Sequence, residues 1–200
     1  MSRIALYVRD FQAGGVPRTM LNLALGLLQN GCAVDFVVNS DDGDYRDQVP
    51  PGVRTVVLAH DLQSRSLARR WRALCAATPA YVQGATSLPF SWAARRPPIP
   101  RLNDVAALAG YLGNERPAAV IAAQTPCNLA AVWARRIAAI PSRLVLTEPV
   151  TFSKSTGKRK WHAVRRTVHS AYLLADDIVA VSAGAADDLA RTAQLPRHRI

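Results

Sequence analysis

Apolar residues along this chain recur at two spacings, and the way the spacings alternate predicts a fold. Residues 3–8, Arg-Ile-Ala-Leu-Tyr-Val, form a short β-rich run closed by Arg9 and Asp10. A polar loop with Gly14-Gly15 follows, and then Met20, Leu21, Leu23, Ala24, Leu27 and Leu28 repeat at helical spacing, with Pro17 in the first turn. Asn30-Gly31 ends that helix, because glycine enters the left-handed conformation without steric cost. Further strands are predicted over 33–38 and 54–58, separated by an Asp/Gly loop and Pro50-Pro51-Gly52. Residues 60–101 break the rhythm, with a helical piece over 66–77 and then an irregular stretch punctuated by Pro79, Gly84, Pro89, Pro97, Pro98 and Pro100.

From there helix and strand alternate strictly: helix 102–113, strand 118–123, helix 128–139, strand 144–147, helix 161–174, strand 178–181 and helix 183–192. Strands separated by helices need crossovers. The predicted fold class is therefore α/β, a Rossmann-like, doubly wound, mainly parallel sheet with helices on both faces.

Composition narrows the class. Half of the 200 residues are hydrophobic and 20% are charged, which excludes a disordered chain and a coiled coil and suits one domain, 1–200. Apolar stretches stay short of the roughly 18 residues of a membrane span, and 4–8 is too short for a signal-peptide core, so a cytoplasmic protein is expected. Cys32, Cys75 and Cys127 are an odd number without metal-ligand spacing, and the four histidines are scattered; no metal is expected.

The net charge of +11 is localised. Residues 62–103 contain no acid and seven arginines, and 149–175 contain no acid and six basic residues. Around Trp71 the arginines, Arg69 and Arg72 among them, lie off an apolar stripe. Lys158, Arg159, Lys160, Arg165 and Arg166 likewise flank the stripe Trp161, Val164, Val168 and Tyr172. Cationic amphipathic helices suit an anionic membrane surface; the alternative is an ordinary core stripe with solvated charge outside. Nucleic acid is not an expected partner, since no recognition motif accompanies the charge.

In open parallel sheets ligands bind beyond the carboxyl ends of the strands. The rule selects the loops 9–17, 39–44, 124–128, 148–158 and 182–184. Gly14 and Gly15 leave backbone N–H groups and the positive end of a helix facing the crevice, with Arg18 beside them, a place for an anion; the alternative is a simple tight turn. The spacing is not G-x-G-x-x-G, so a nicotinamide cofactor is disfavoured, although Asp41 imitates its ribose-binding acid. Thr156-Gly157-Lys158 resembles a P-loop tail but lacks the first glycine and the magnesium-binding hydroxyl. Ser182 lacks the context of a nucleophile elbow and suits a helix N-cap. Glu148 follows an apolar strand directly, where a carboxylate should emerge at the crevice; its alternative is a salt bridge to Lys154 or Lys158.

Three passages also resemble the N-terminal domain of retaining glycosyltransferases of family 4, enzymes of two Rossmann-like halves known as GT-B. The first is Gly14-Gly-Val-Pro-Arg18 with Leu21-Asn-Leu-Ala-Leu-Gly-Leu27, Asn30-Gly31 and Val34-Asp-Phe-Val-Val38. The second runs from Glu115-Arg-Pro-Ala-Ala-Val-Ile121 through Asn128-Leu129 to Leu144-Val-Leu-Thr-Glu148. The third joins Ala175-Asp-Asp-Ile-Val-Ala-Val-Ser182, Asp187-Asp-Leu189, Leu195-Pro196 and Arg199-Ile200.

This resemblance implies an acceptor-binding domain with a basic insertion at about 60–101, and a donor-binding domain beyond the chain. It implies transfer of a sugar from a nucleotide-sugar donor to a saccharide or lipid-linked acceptor with retention, in cell-surface polysaccharide or glycolipid synthesis, peripherally at the inner face of a bacterial membrane. No tightly bound cofactor is implied, and the chain alone is expected to be inactive. By matching position, Gly14, Gly15 and Arg18 approach donor phosphates or acceptor, Gln124, Thr125 and Asn128 line the cleft, Glu148 faces the acceptor or braces its loop, and Ser182 closes the floor. Gln124 and Glu148 are the candidate catalytic residues. Many relatives carry histidine in the loop of Gln124, and glutamine cannot exchange protons as imidazole does. A stand-alone module binding anionic lipid or glycan, and a NAD-dependent enzyme, are the alternative classes.

Overall fold

The structure is a computed structural model that describes residues 2–58, 100, 102–153 and 158–200, and the side chains of all of these but 102 and 158–164. The expected helix over 66–77, with Arg69 and Arg72, and nearly all of the 60–101 insertion lie outside the described residues, as does the 154–157 loop.

Six parallel strands, β1 (Arg3–Val8), β2 (Ala33–Val38), β3 (Arg54–Val57), β4 (Ala119–Ala123), β5 (Arg143–Glu148) and β6 (Asp177–Ala180), form one sheet in the order β3-β2-β1-β4-β5-β6. Among the described residues five helices accompany them: α1 (Gly15–Gln29), α2 (Leu102–Glu115), α3 (Thr125–Ala138), α4 (Lys158–Tyr172) and α5 (Ala183–Ala193). The α/β doubly wound prediction is met. Helix α3 begins three residues before the predicted start, because Pro126 sits in the first turn, where its missing N–H and fixed φ cost nothing.

Alternation along the strands sorts residues between two cores. On one face, Leu6, Val8, Phe36 and Val38 pack against Val16, Met20, Leu21 and Ala24 of α1, and the Phe11 and Phe36 rings stack at 5.1 Å. On the other, Tyr7, Val37, Val120, Ala122, Leu144 and Leu146 pack under α2, α3 and α4 through Leu108, Leu112, Leu129, Val132 and Val168. Each fully buried Val, Leu or Phe among them contributes about 1.5–3 kcal/mol of transfer free energy. The parallel β2–β3 connection crosses over without an α-helix. A loop containing a 3-10 turn (Arg46–Gln48) does so, with Tyr45, Val49 and Val53 packed on the α1-side core.

At the amino ends of the strands the sheet carries a buried carboxylate. Asp35 accepts from Arg54 Nε at 2.9 Å, Arg54 Nη2 at 2.5 Å and the Tyr111 hydroxyl at 2.6 Å, while Arg3 lies 3.8 Å away. Glu115 at the end of α2 joins both arginines. The cluster therefore ties β1, β2 and β3 to α2 on the side of the sheet away from the crevice. None of the described helices is long and apolar enough to cross a membrane.

Candidate functional site

The strand order reverses between β1 and its two neighbours: the chain leaves β1 toward β2 on one side and returns to β4 on the other. At such a switch point the loops diverge and a crevice opens beyond the carboxyl ends of the strands. The loops that flank it carry Gly14-Gly15 after β1 and Gln124-Thr125 after β4.

Helix α1 starts at Gly15 with Gly14 as N-cap, no side chain caps it, and its first turn contains no acid. Its leading amides thus have neither a side-chain cap nor a carboxylate within the first turn. Gly14 is extended, at φ 165°, a conformation open to any residue, so its backbone angles do not themselves require glycine. A Cβ on Gly15 would meet nothing within 4 Å, and one on Gly14 only ordinary contacts at 3.9 and 4.0 Å. The missing side chains leave room for a ligand to approach the backbone. Arg18 is exposed one turn further along, with no ion pair among the described residues.

This loop is held from below. Phe11 N donates to Asp42 O at 2.9 Å, Tyr45 N to Phe11 O at 3.1 Å, and Ala13 N to the Asp44 carboxylate at 3.3 Å. Asp41, the imitation of a ribose-binding acid, is paired with Arg46, whose guanidinium also covers the Phe11 ring at 5.9 Å.

Across the crevice, Gln124 caps α3 with φ 74° and ψ 145°, close to a region nearly reserved for glycine. Two bonds hold it there: its N–H donates to Thr147 O at 3.1 Å, and its carbonyl accepts from Asn128 N at 2.8 Å. The backbone of Gln124 is thus held in an unusual conformation at the switch point, with its side chain half-buried.

Beneath it lies a polar cluster. Glu148 is 1% exposed, and its Oε1 accepts from Thr125 Oγ1 at 3.0 Å, from Asn128 Nδ2 at 3.0 Å and from the Tyr172 hydroxyl. The sequence expectation that this carboxylate emerges at the crevice is corrected. Residues 144, 146 and 148 share one face of β5, and that face is the one covered by α3 and α4. Its observed partners are hydroxyls and an amide. Thr125 and Asn128, expected to line the cleft, are likewise buried and direct their donors to Glu148; they position the acid. Tyr172 entered the sequence reading only as part of an apolar stripe. A tyrosine deep in such a stripe needs a polar partner for its hydroxyl, and that requirement was the available signal.

Burial pushes the Glu148 carboxyl up to about 7, outweighing the three donors that favour its charged form. The Tyr172 phenol is raised as well, by burial and then by the adjacent carboxylate. An unfolded Glu148 releases its proton near 4.5, whereas the folded protein holds it to about 7. Between these pH values the unfolded state binds fewer protons, so the Glu148 contribution to stability falls as pH rises, by about 3 kcal/mol in all. Denaturant unfolding of wild type and Glu148→Gln between pH 5 and 7.5 checks this: the glutamine variant should gain on wild type as pH rises. Parallel profiles would refute it.

The remaining candidates are dispersed. Ser182 is exposed and its Oγ accepts from Ala185 N at 3.2 Å, an N-cap as expected of its sequence context. Helix α4 carries Arg165 half-buried and Arg166 exposed, with Val168 and Tyr172 fully buried on its other side; the side chains of Lys158, Arg159 and Lys160 lie outside the described ones. His169 Nδ1 meets Ala193 O at 3.0 Å, and burial raises the Cys127 thiol to about 12. No group of three or more His, Cys, Asp or Glu able to hold a metal ion occurs among the described residues.

Comparison with known proteins relates the chain to others of this fold. A sequence model of the family described as Glycosyltransferase Family 4 matches residues 13–200. No curated protein sequence is matched. Among solved structures, the lipopolysaccharide outer core galactosyltransferase WaaB in its apo form is similar at a TM-score of 0.56 and 16% identity, over 99% of this chain and 44% of that one. A protein described as a UDP-N-acetylglucosamine 2-epimerase from Listeria monocytogenes is similar at a TM-score of 0.50 and 14% identity, over 94% of this chain and 42% of that one. The chain therefore spans less than half the length of these two structures, and at such identities the likeness is one of fold.

Proposed function

Because the chain belongs to Glycosyltransferase Family 4, we propose that it forms the N-terminal, acceptor-side domain of an enzyme that moves a sugar from a nucleotide-sugar to a saccharide or lipid-linked acceptor with retention. Cell-surface polysaccharide or glycolipid synthesis is the process in this reading. The observation that carries it is the uncapped start of α1, where two glycines that the fold itself does not require expose backbone amides at the switch-point crevice. Gly14, Gly15 and Arg18 would hold a phosphate of the donor or a charged group of the acceptor. Gln124 would offer its amide to sugar hydroxyls, and Glu148 would brace that loop through Thr125 and Asn128. A lipid-linked acceptor would bring the domain to an anionic membrane surface, toward which α4 offers Arg165 and Arg166.

In this reading the 200-residue chain alone does not turn over, and transfer needs a donor-binding domain joined to it. The test is an assay of the joined protein against common UDP- and GDP-sugars, with the anomeric configuration of the product read by NMR. Gly15→Val should lower kcat/KM at least tenfold while leaving the unfolding midpoint nearly unchanged, since the added side chain enters open space. Absence of both hydrolysis and transfer with every donor would refute the proposal.

A further inference from the structure

Beside the crevice, the outer side of α1 and the turn after β2 flank a shallow, solvent-open groove of about 400 Å³, lined by Arg18, Leu21, Asn22, Leu25, Tyr45, Gln48 and Pro50. Its size falls within the range of small-molecule sites. The α1 residues recur at intervals of three and four, so they form a stripe that descends about 10 Å from the first turn of the helix. The groove thus begins next to the Gly14-Gly15 amides and runs down the flank of the domain.

Its chemistry is mixed in an ordered way. Arg18 supplies a cation at the crevice end, Asn22 and Gln48 supply exposed amides that both donate and accept, and Tyr45, Pro50 and Leu25 supply a flat apolar wall. Leu25 is 45% exposed, a large apolar side chain left in water on an otherwise polar helix face. The aspartates of the neighbouring loop do not line the groove, and three have partners of their own: Asp41 pairs with Arg46, Asp42 accepts from Ser40, and Asp44 accepts from Ala13. The far wall is firmly placed, because Tyr45 is bonded to Phe11 and begins the 3-10 turn that presents Gln48.

We infer that this groove is a subsite for a sugar ring joined to a phosphate, with the phosphate at Arg18, the ring hydroxyls on Asn22 and Gln48, and the apolar ring face against Tyr45. A guanidinium is the preferred partner for phosphate, and an aromatic ring suits a ligand with one apolar face and a polar rim. The inference rests on the transferase reading where it makes the ligand the acceptor; binding itself does not depend on that reading. The same chemistry is offered by a soluble sugar phosphate and by the headgroup of a glycosylated phospholipid.

The 200-residue chain, labelled with nitrogen-15, is titrated with glucose 1-phosphate, inorganic phosphate, and vesicles with and without phosphatidylinositol. Glucose 1-phosphate or the phosphatidylinositol vesicles should shift the Asn22 and Gln48 side-chain amides, and whichever binds identifies the source. Asn22→Ala/Gln48→Ala, two exposed changes that leave the fold intact, should weaken that binding at least tenfold and leave inorganic phosphate unaffected. Shifts confined to residues 14–18, equal affinity in the double variant, or no binding by either sugar-phosphate probe would overturn the subsite. Groove binding in a chain whose joined protein shows no transfer would overturn the transferase reading and leave the subsite standing; transfer without groove binding would do the reverse.

Discussion

Replacing Gly43 by alanine should lower the melting temperature by about 10 °C, the equivalent of roughly 3–5 kcal/mol for a chain of this size. Gly43 has φ +131°, which side-chain-bearing residues rarely adopt, and a Cβ there would lie 2.1 Å from Phe11 C and 2.3 Å from both Gln12 N and Phe11 O. Those are backbone atoms, so rotating a side chain cannot relieve the clash. The 39–45 loop would have to leave the 9–13 loop, losing the Phe11 N to Asp42 O and Tyr45 N to Phe11 O bonds, each contributing about 1 kcal/mol, besides the backbone strain itself. Hydrogen exchange at the Phe11 and Tyr45 amides localises the effect, and both should lose protection. Since this contact supports the chain that leads into Gly14-Gly15, phosphate binding should weaken in parallel. A Gly43→Ala protein with wild-type melting and protection would show that the two loops are not in contact. Gly15→Ala is the matching control: a first-turn glycine in open space should leave stability unchanged or raise it by up to about 1 kcal/mol.

Asp35→Ala should be costly for an electrostatic reason, about 2–3 kcal/mol at neutral pH, since the Arg54 side chain it abandons is 46% exposed and partly recovers water. Its loss would leave the Arg54 guanidinium and the Tyr111 hydroxyl facing a vacated, partly buried site. Burial alone would raise the Asp35 carboxyl, but hydrogen bonds from Arg54 and Tyr111, and the charges of Arg54 and Arg3, hold it below the usual carboxylate value. A depressed pKa contributes stability that is present above the unfolded value of about 3.8 and is lost as pH falls through the folded one. The Asp35→Ala deficit should therefore be full at pH 7 and shrink once the pH is taken below about 4. Denaturant titrations of both proteins at pH 7 and pH 3 measure it. Combining Asp35→Leu with Arg54→Leu should recover part of the loss, because two apolar groups leave fewer unpaired charges than one broken pair does. An Asp35→Ala deficit under 1 kcal/mol, or one unchanged at pH 3, would refute this account.

The groove, the Glu148 cluster and the Asp35 cluster share a history in the sequence: each was invisible as a unit. Tyr111 and Asp35 stand 76 residues apart, and Glu148 and Tyr172 stand 24 apart. Only packing a helix end onto a strand brings either pair together. The α1 stripe was legible, but which of its polar members would face the 45–50 turn depended on how that turn crosses over.

By itself the sequence determined the order and nature of the elements. Strand and helix periods differ, and Gly14-Gly15, Asn30-Gly31, Pro50-Pro51 and Pro141 punctuate them, so the parallel α/β sheet and the loops at its crevice could be read from local pattern alone. It also determined the family, through motifs whose order along the chain is itself specific. The tertiary structure decided what each polar residue at those loops does. Glu148, Thr125 and Asn128 have the residue types of cleft chemistry, yet the pleat of β5 and the cover of α3 and α4 turn them inward, where desolvation makes them partners of one another. Gly14 and Gly15 have the look of a turn, yet their backbone is extended at Gly14 and helical at Gly15, and a side chain at either position would meet no close contact. Burial and facing are properties of what packs across the chain, and local sequence does not contain them.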